Sequence, residues 1–249
     1  MKKLLLKREL CLGSWCQIGH PANAEILAKA GFSWAAADCE HGEIEDSDLG
    51  NFCRALRQYG SIPLVRVKEN AVLPIRRALD LGASGVIVPL VNSAAEAMQA
   101  VKAAKYPPEG IRGFAFQRAN DWGISFDEYA RTANEETIVI VMIESKEAVE
   151  HIDDILSVNG VDGVIVGPYD MSGSYGITGQ TGHELIKKAC IRVSEACSRK
   201  GKAAGQHIVM PTRENVRDAV KNGFTLLALG MDTVFLAQGA CAALDFGRQ

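Results

Sequence analysis

Eight strand-length runs, each followed by a stretch with helical periodicity, recur along this chain in steady alternation. The runs are Cys11–Cys16, Trp34–Asp38, Pro63–Val67, Gly85–Val88, Thr137–Ile143, Val161–Val166, Ala203–Gln206 and Phe224–Leu229. Most are apolar at consecutive positions, the pattern of parallel strands buried on both faces. Helices are read at Asn23–Ala30 with Pro21 near its start, Asp46–Tyr59, Ala71–Leu81, Ser93–Ala104, Lys146–Leu156, His183–Lys200, Thr212–Asn222 and Asp232–Leu244. Asp46 or Ser47 is expected to cap the second of these, and Gly82 to close the third. Eight βα units with right-handed crossovers predict an α/β fold, the (β/α)8 or TIM barrel, as one domain over 1–249. A doubly wound sheet is disfavoured because no fingerprint glycine loop is present. One segment breaks the rhythm: Tyr106–Phe126, rich in Pro, Gly and Arg. A loop that long in a compact domain is usually functional, here a candidate lid or subunit contact.

The composition narrows the classes. A net charge of −3 offers no electrostatic reason to expect nucleic acid or a membrane surface. The longest apolar runs are far short of a spanning helix. The start, Met1-Lys2-Lys3-Leu4-Leu5-Leu6-Lys7-Arg8, mimics a signal peptide, but its apolar part is only three residues long. It is read instead as an amphipathic first turn packed on the barrel floor. Seven scattered cysteines without a C-x-x-C pair fit reduced thiols in a cytoplasm rather than a disulfide framework or a zinc site.

Polar residues close several of the apolar runs, and in such a barrel those ends share the rim that carries catalysis. Glu144 and Asp170 follow the fifth and sixth strands, so their carboxylates can converge. An oxygen-only pair favours Mg²⁺, Mn²⁺ or Co²⁺ over zinc and leaves positions open for a chelating substrate such as a 2-oxo acid. The alternative is that Glu144 caps the next helix and Asp170 forms a salt bridge. Arg66 ends the third strand, where a guanidinium can clamp a carboxylate or an oxyanion, or simply pair with Glu69. His41 follows Asp38 and Glu40 at the tip of the second strand and is the candidate general base, with Asp80 as a possible orienting partner. A surface pair of His41 with its acidic neighbours is the competing reading. His20 and His207 also lie after strands. Gly230, ahead of the last helix, is either a phosphate cradle or an ordinary tight turn. No lysine lies mid-strand in an apolar setting, which disfavours Schiff-base chemistry.

These segments resemble the HpcH/HpaI family of metal-dependent pyruvate aldolases over nearly the whole chain. The resemblance is carried by Gly13-Ser14-Trp15, Asp38-x-Glu40-His41, Pro63-Leu64-Val65-Arg66, Leu79-Asp80-Leu81-Gly82-Ala83 and Val88-Pro89-Leu90-Val91. It continues through Tyr106-Pro107-Pro108-Glu109-Gly110-Ile111-Arg112-Gly113, Ile143-Glu144-Ser145, Gly163–Ser172 and Leu229-Gly230-Met231-Asp232-Thr233. It implies a phosphoenolpyruvate/pyruvate-type barrel in which Glu144 and Asp170 bind the divalent metal. It further implies that Arg66 holds the oxygen of pyruvate and that Gly167–Asp170 amides lie near its carboxylate. Trp15, Pro89, Gly167 and Pro168 are the further substrate contacts, and His41 with Asp80 acts as the base. The implied reaction is reversible cleavage of a 4-hydroxy-2-oxo acid, of the 2-keto-3-deoxy type, to pyruvate and an aldehyde. Related chemistry on oxaloacetate is the alternative, and no organic cofactor is implied. The implied assembly is a hexamer, a trimer of dimers whose sites are completed by a neighbour through the Asp38 segment and the Tyr106–Trp122 loop. Three residues depart from the family pattern: Met142 stands where glutamine is usual, Gln206-His207 replaces an apolar pair, and Cys39 replaces a glycine.

Overall fold

The computed structural model describes residues 1–248 and contains a closed barrel of eight parallel strands in sequential order. They are β1 (Cys11–Cys16), β2 (Trp34–Asp38), β3 (Ile62–Arg66), β4 (Gly85–Val88), β5 (Ile138–Ile143), β6 (Gly163–Val166), β7 (Ala203–Ile208) and β8 (Leu226–Met231), with β8 pairing back onto β1. The helices are α1 (Lys2–Leu6), α2 (Pro21–Lys29), α3 (Asp46–Gln58), α4 (Val72–Asp80), α5 (Ala94–Ala104), α6 (Phe126–Glu136), α7 (Lys146–Glu150), α8 (Ile152–Ser157), α9 (Pro168–Ser174), α10 (Glu184–Lys200), α11 (Arg213–Lys221) and α12 (Asp232–Gly247). The expected barrel is the one observed.

Strand parity divides the core in two. Trp15, Trp34, Leu64, Ile87, Ile140, Met142, Ile165, Ala203 and Ala228 point inward and fill the barrel. Their neighbours of opposite parity, including Ala35, Val65, Val86, Val141, Val164 and Ala204, pack under the helices. The interior closes tightly around Trp34: a Cβ on Gly13 would fall 2.1 Å from its ring, so only glycine fits opposite it. At the floor, Leu5 of α1 is fully buried against the inward set, the placement expected of the amphipathic first turn. Lys2 Nζ there donates to the Thr137 carbonyl (2.8 Å) and pairs with Asp162 (3.2 Å). Asp162 also accepts the Val139 N–H (2.9 Å). Buried Lys105 donates to the Asn134 and Thr137 carbonyls.

Several elements depart from the sequence reading, each for a local reason. The cap of α3 is Glu45, one residue before the expected pair, because its carboxylate and that of Asp48 form a reciprocal capping box. The helix expected over Lys146–Leu156 breaks at His151 into α7 and α8. The last strand begins two residues late, so Gly230 lies inside β8, at φ +63°, rather than in a phosphate-binding turn after it. Helix α6 fully buries only Ala133; the rest of its apolar stripe, Phe126, Tyr129 and Ala130, is half-buried and packs on Tyr106, Phe114 and Phe116 of the preceding loop. The segment before it contains a 3₁₀ turn over Arg118–Gly123, with Asp121 and Trp122 at φ +51° and +54°. Phe114, Phe116, Trp122 and Ile124 are exposed there.

Helix α12 is the other exposed apolar element. Asp232 anchors its start, accepting hydrogen bonds from the Gln17 and Ile18 amides (2.9 and 3.0 Å), the Cys16 thiol (3.1 Å) and Asn23 Nδ2 (3.3 Å). Beyond that anchor no residue of α12 is buried, and Leu236, Leu244 and Phe246 face outward.

Candidate active site

The ends of β2 and β3 are paired in register, Asp38 beside Arg66, with both side chains of inward parity. Arg66 therefore meets Asp38 as a two-pronged fork, Nε to Oδ1 at 2.9 Å and Nη2 to Oδ2 at 2.6 Å. Asp38 also accepts from Gln17 Nε2 (3.0 Å) and from the Glu40 and His41 amides (both 3.2 Å). Burial opposes ionisation of Asp38, but the Arg66 bonds and charge outweigh it and hold the carboxyl below its usual range. Arg66 is not paired with Glu69. Its third nitrogen, Nη1, lies 3.3 Å from Glu40 and 4.0 Å from the Met142 sulfur, and its plane lies 4.7 Å from the Trp15 ring centroid.

Glu144 follows β5 and is 6% exposed. Its Oε2 accepts one hydrogen bond, from the Leu90 amide at 3.1 Å. Burial pushes its pKa up to about 7; the Leu90 bond and Arg66 oppose this, while the charges of Glu40 and Asp170 add to it. Leu90 adopts φ +55°, a costly conformation for a residue with a side chain, and this is the residue whose N–H meets Glu144. Pro89 thus serves the site as the residue before that amide and not as a wall of the mouth cavity. Gly167 leaves the space Glu144 needs: a Cβ there would sit 2.8 Å from the glutamate Cγ and Oε1. Pro168 is the first residue of α9, a pre-set start for a helix whose first turn carries Asp170.

The mouth cavity, about 690 Å³, is lined by Trp15, Arg66, Met142, Glu144, Gly167, Pro168 and Asp170 and continues past Gln206 and His207. Glu40 stands at its edge, with burial raising its pKa, Arg66 and His41 opposing, and the charges of Asp38 and Asp170 raising it further. Glu40, Glu144 and Asp170 are thus three mutually repelling carboxylates with Arg66 as the facing cation. Among the described residues no group of three or more His, Cys, Asp or Glu side chains is arranged to hold a metal ion.

The expected pair of His41 with Asp80 does not form within the chain. His41 is at the rim, its side chain 62% exposed, with Nε2 3.8 Å from Glu40. Asp80 ends α4 on the outside of the barrel and is buried against Arg112 Nη2 at 2.8 Å. Arg112 is itself held by the Tyr129 hydroxyl (3.0 Å) and the Tyr106 ring (4.6 Å). Sequence reasoning gave no role to Glu40, Leu90 or the Asp38 fork. The first and last sit in the Asp38-x-Glu40-His41 cluster, but a backbone amide turned by φ leaves no signal in residue identity.

A (β/α)8 barrel whose C-terminal mouth joins carboxylates to a fork-held arginine has the layout of a barrel enzyme, with its polar groups on the catalytic rim. The chain belongs to the HpcH/HpaI aldolase/citrate lyase family, whose model matches residues 12–238. A hydroxypyruvate/pyruvate aldolase from Roseobacter denitrificans is 37% identical over 238 residues, 94% of this chain and 91% of the relative. A 5-keto-4-deoxy-D-glucarate aldolase from Escherichia coli is 35% identical over 232 residues, 93% and 90% of the two chains. A solved HpcH/HpaI family protein from Burkholderia cenocepacia superposes with a TM-score of 0.94 at 32% identity, covering 100% of this chain and 98% of that one. The citrate synthase SbnG gives 0.89 at 30% identity, with 100% and 97% covered. The protein is accordingly a carbon–carbon lyase of the aldolase type.

Proposed function

We propose that the protein reversibly cleaves a 4-hydroxy-2-oxo acid to pyruvate and an aldehyde, using a divalent cation, Mg²⁺, Mn²⁺ or Co²⁺. The observation that carries this reading is Glu144, a buried carboxylate with a pKa of about 7, one hydrogen bond and two further carboxylates near it. Repulsion of that kind is relieved by a cation, and an oxygen-only pair suits a hard dication that keeps positions for substrate. Glu144 and Asp170 are the residues that would hold it. When bound, the cation supplies positive charge against the negative charge that grows on the oxo acid as C3–C4 breaks.

The remaining work falls to the chain. Arg66 is pre-aimed by Asp38, so its Nη1 edge can hydrogen-bond the 2-oxo oxygen without reorganisation. The first-turn amides of α9 have no intrahelical acceptor and suit the substrate carboxylate. A base takes the C4 hydroxyl proton, the C3–C4 pair moves toward C2, and a proton is then returned to C3. His41, at the rim with Nε2 3.8 Å from Glu40, is the group for that transfer. The likeness to a citrate synthase supports the oxaloacetate alternative, as condensation or decarboxylation. Retro-aldol cleavage coupled to pyruvate detection, run beside oxaloacetate with acetyl-CoA, separates the two. Undiminished cleavage by chelator-stripped enzyme rules out the cation.

The proposed assembly is a homo-oligomer, a hexamer in the first instance. Its support is the outward apolar side chains of α12 and of the Phe114–Ile124 segment, surfaces that a monomer rarely leaves open. Light scattering on the purified protein tests it. No helix among the described residues is long and apolar enough to cross a membrane. All seven cysteines are free thiols, which supports the cytoplasm as the place of action.

A further inference from the structure

A second cavity, about 1080 Å³, is bordered by α1, α5, α6 and α8 at the floor of the barrel, and the chemistry above makes no use of it. Three lysines from separate parts of the chain meet in its wall: Lys2 of α1, Lys105 directly after α5 and Lys202 directly before β7. Their amines converge on the lower ends of the adjacent strands β5 and β6. Lys2 Nζ and Lys105 Nζ both donate to the Thr137 carbonyl (2.8 and 3.1 Å), one residue before β5. Lys202 Nζ donates to the Val161 carbonyl (2.6 Å), two residues before β6.

These bonds supply acceptors but little counter-charge. A carbonyl carries no net charge, and the buried carboxylate beside the amines is Asp162, which pairs with Lys2 (3.2 Å) and accepts the Val139 N–H (2.9 Å). Three amines thus face one buried carboxylate. Burial and the nearby Lys2 charge pull the Lys105 pKa down to about 8, with Asp162 and Glu109 opposing. Glu109, Glu135 and Asp154 stand with Lys102 and His151 on the exposed rim, where water and salt screen their fields.

An ammonium group carries three hydrogens. Lys2 and Lys202 have hydrogens left after the bonds above, and both keep surface on the cavity: the Lys2 side chain is 19% exposed and Lys202 is half-buried. Lys105, 2% exposed, adds charge to the wall without offering contact. A cation would meet like charges there, and an apolar ligand would leave the spare N–H groups and the charge unanswered. A small oxyanion answers both, because it accepts charge-assisted hydrogen bonds and supplies negative charge. We propose that this cavity is an anion site in which Lys2 and Lys202 hold a small oxyanion, phosphate or a short dicarboxylate, beside the charge of Lys105. The site lies at the end of the barrel away from the mouth and does not depend on the lyase reading.

The test titrates inorganic phosphate and malonate, in separate calorimetry runs at low salt, into the full-length protein without added metal. The parent is expected to bind at least one of them with a Kd of about 1 mM or tighter, the scale of two charge-assisted hydrogen bonds. The tighter of the two arms tells a phosphate site from a dicarboxylate site. Lys202→Gln should weaken that binding about tenfold or more, the scale of losing one such bond, whereas Arg66→Gln, at the mouth, should leave it unchanged. At pH 8 Lys105 is roughly half protonated, and a nearby anion drives it toward the ammonium form. Binding by the parent should therefore take up a fraction of a proton, read from the dependence of the heat on buffer ionisation enthalpy, and Lys105→Met should abolish that uptake. Failure of both anions to saturate the parent far above 1 mM overturns the site. Binding that survives Lys202→Gln intact, or that is lost in Arg66→Gln, also overturns it, by moving the anion elsewhere. Parent binding without proton uptake overturns it as well, because the anion would then lie away from Lys105.

Discussion

The two ends of the barrel solve the problem of buried charge in opposite ways. At the floor, Lys2 pairs with Asp162, and Lys2, Lys105 and Asp162 meet the carbonyls and amides of Thr137, Asn134 and Val139, while burial and the nearby Lys2 pull the Lys105 pKa down to about 8. At the mouth, Glu40, Glu144 and Asp170 repel one another, Leu90 holds a left-handed backbone, and the Trp15 N–H lacks a partner. The floor answers most of its charge within the chain. The mouth instead gathers carboxylates that repel one another, which is where fold stability is conceded to chemistry.

The sharpest way to break this contrast is at the mouth carboxylates. Glu144→Gln and Asp170→Ala should each cost at least about 10²–10³-fold in kcat/KM, the usual scale for losing one preorganised electrostatic element, while the far-ultraviolet circular dichroism stays that of the parent. Activity near the parent value in either variant would remove the cation site proposed here. His41→Ala should slow deuterium exchange at pyruvate C3 by roughly 10²–10⁴-fold. Exchange at the parent rate would assign the proton to another group.

The floor should respond in the other currency. Asp162→Ala leaves Lys2 without its counter-ion and the Val139 amide without its acceptor, so it should lower unfolding free energy by about 3–5 kcal/mol in a urea titration. The kcat of the protein that remains folded should stay close to the parent value. A loss of kcat without a loss of stability would mean that the two ends are coupled.

The mildest test is the pH dependence of stability without added metal. Glu144 has a folded pKa of about 7 against an ordinary 4.5, so the folded state holds a proton that the unfolded state releases between those values. Its contribution is fully present below about pH 4.5, declines as pH rises and is lost above about pH 7. The difference is on the order of 3 kcal/mol. Glu144→Gln should flatten that part of the profile, and Mn²⁺ should restore the parent at pH 8 and not the variant. An identical slope in both proteins would place the strain elsewhere.

Residue identity made the barrel legible because Ile138–Ile143 and Gly163–Val166 are apolar on both faces, which few other folds require. Arg66 and Glu144 stood out for the same reason, as charged residues ending or directly following such runs. What stayed hidden depends on contacts across the chain or on backbone angles. Asp80 was matched to His41, yet its partner is Arg112, thirty-two positions away. Helix α6 hid because its short stripe of Phe126, Tyr129, Ala130 and Ala133 directly follows the irregular loop and packs on that loop, so it reads as part of it. Leu90 hid because its contribution is an amide that any residue but proline possesses.

Helix α12 carries a practical consequence. Its root is bolted to the β1 loop through Asp232, while Leu236, Leu244 and Phe246 are offered to whatever comes near. In dilute solution, where the proposed oligomer would come apart, such a greasy lever arm is left open to proteases before the barrel itself loosens. Storage at high concentration, and affinity tags placed away from this arm, should preserve the preparation best.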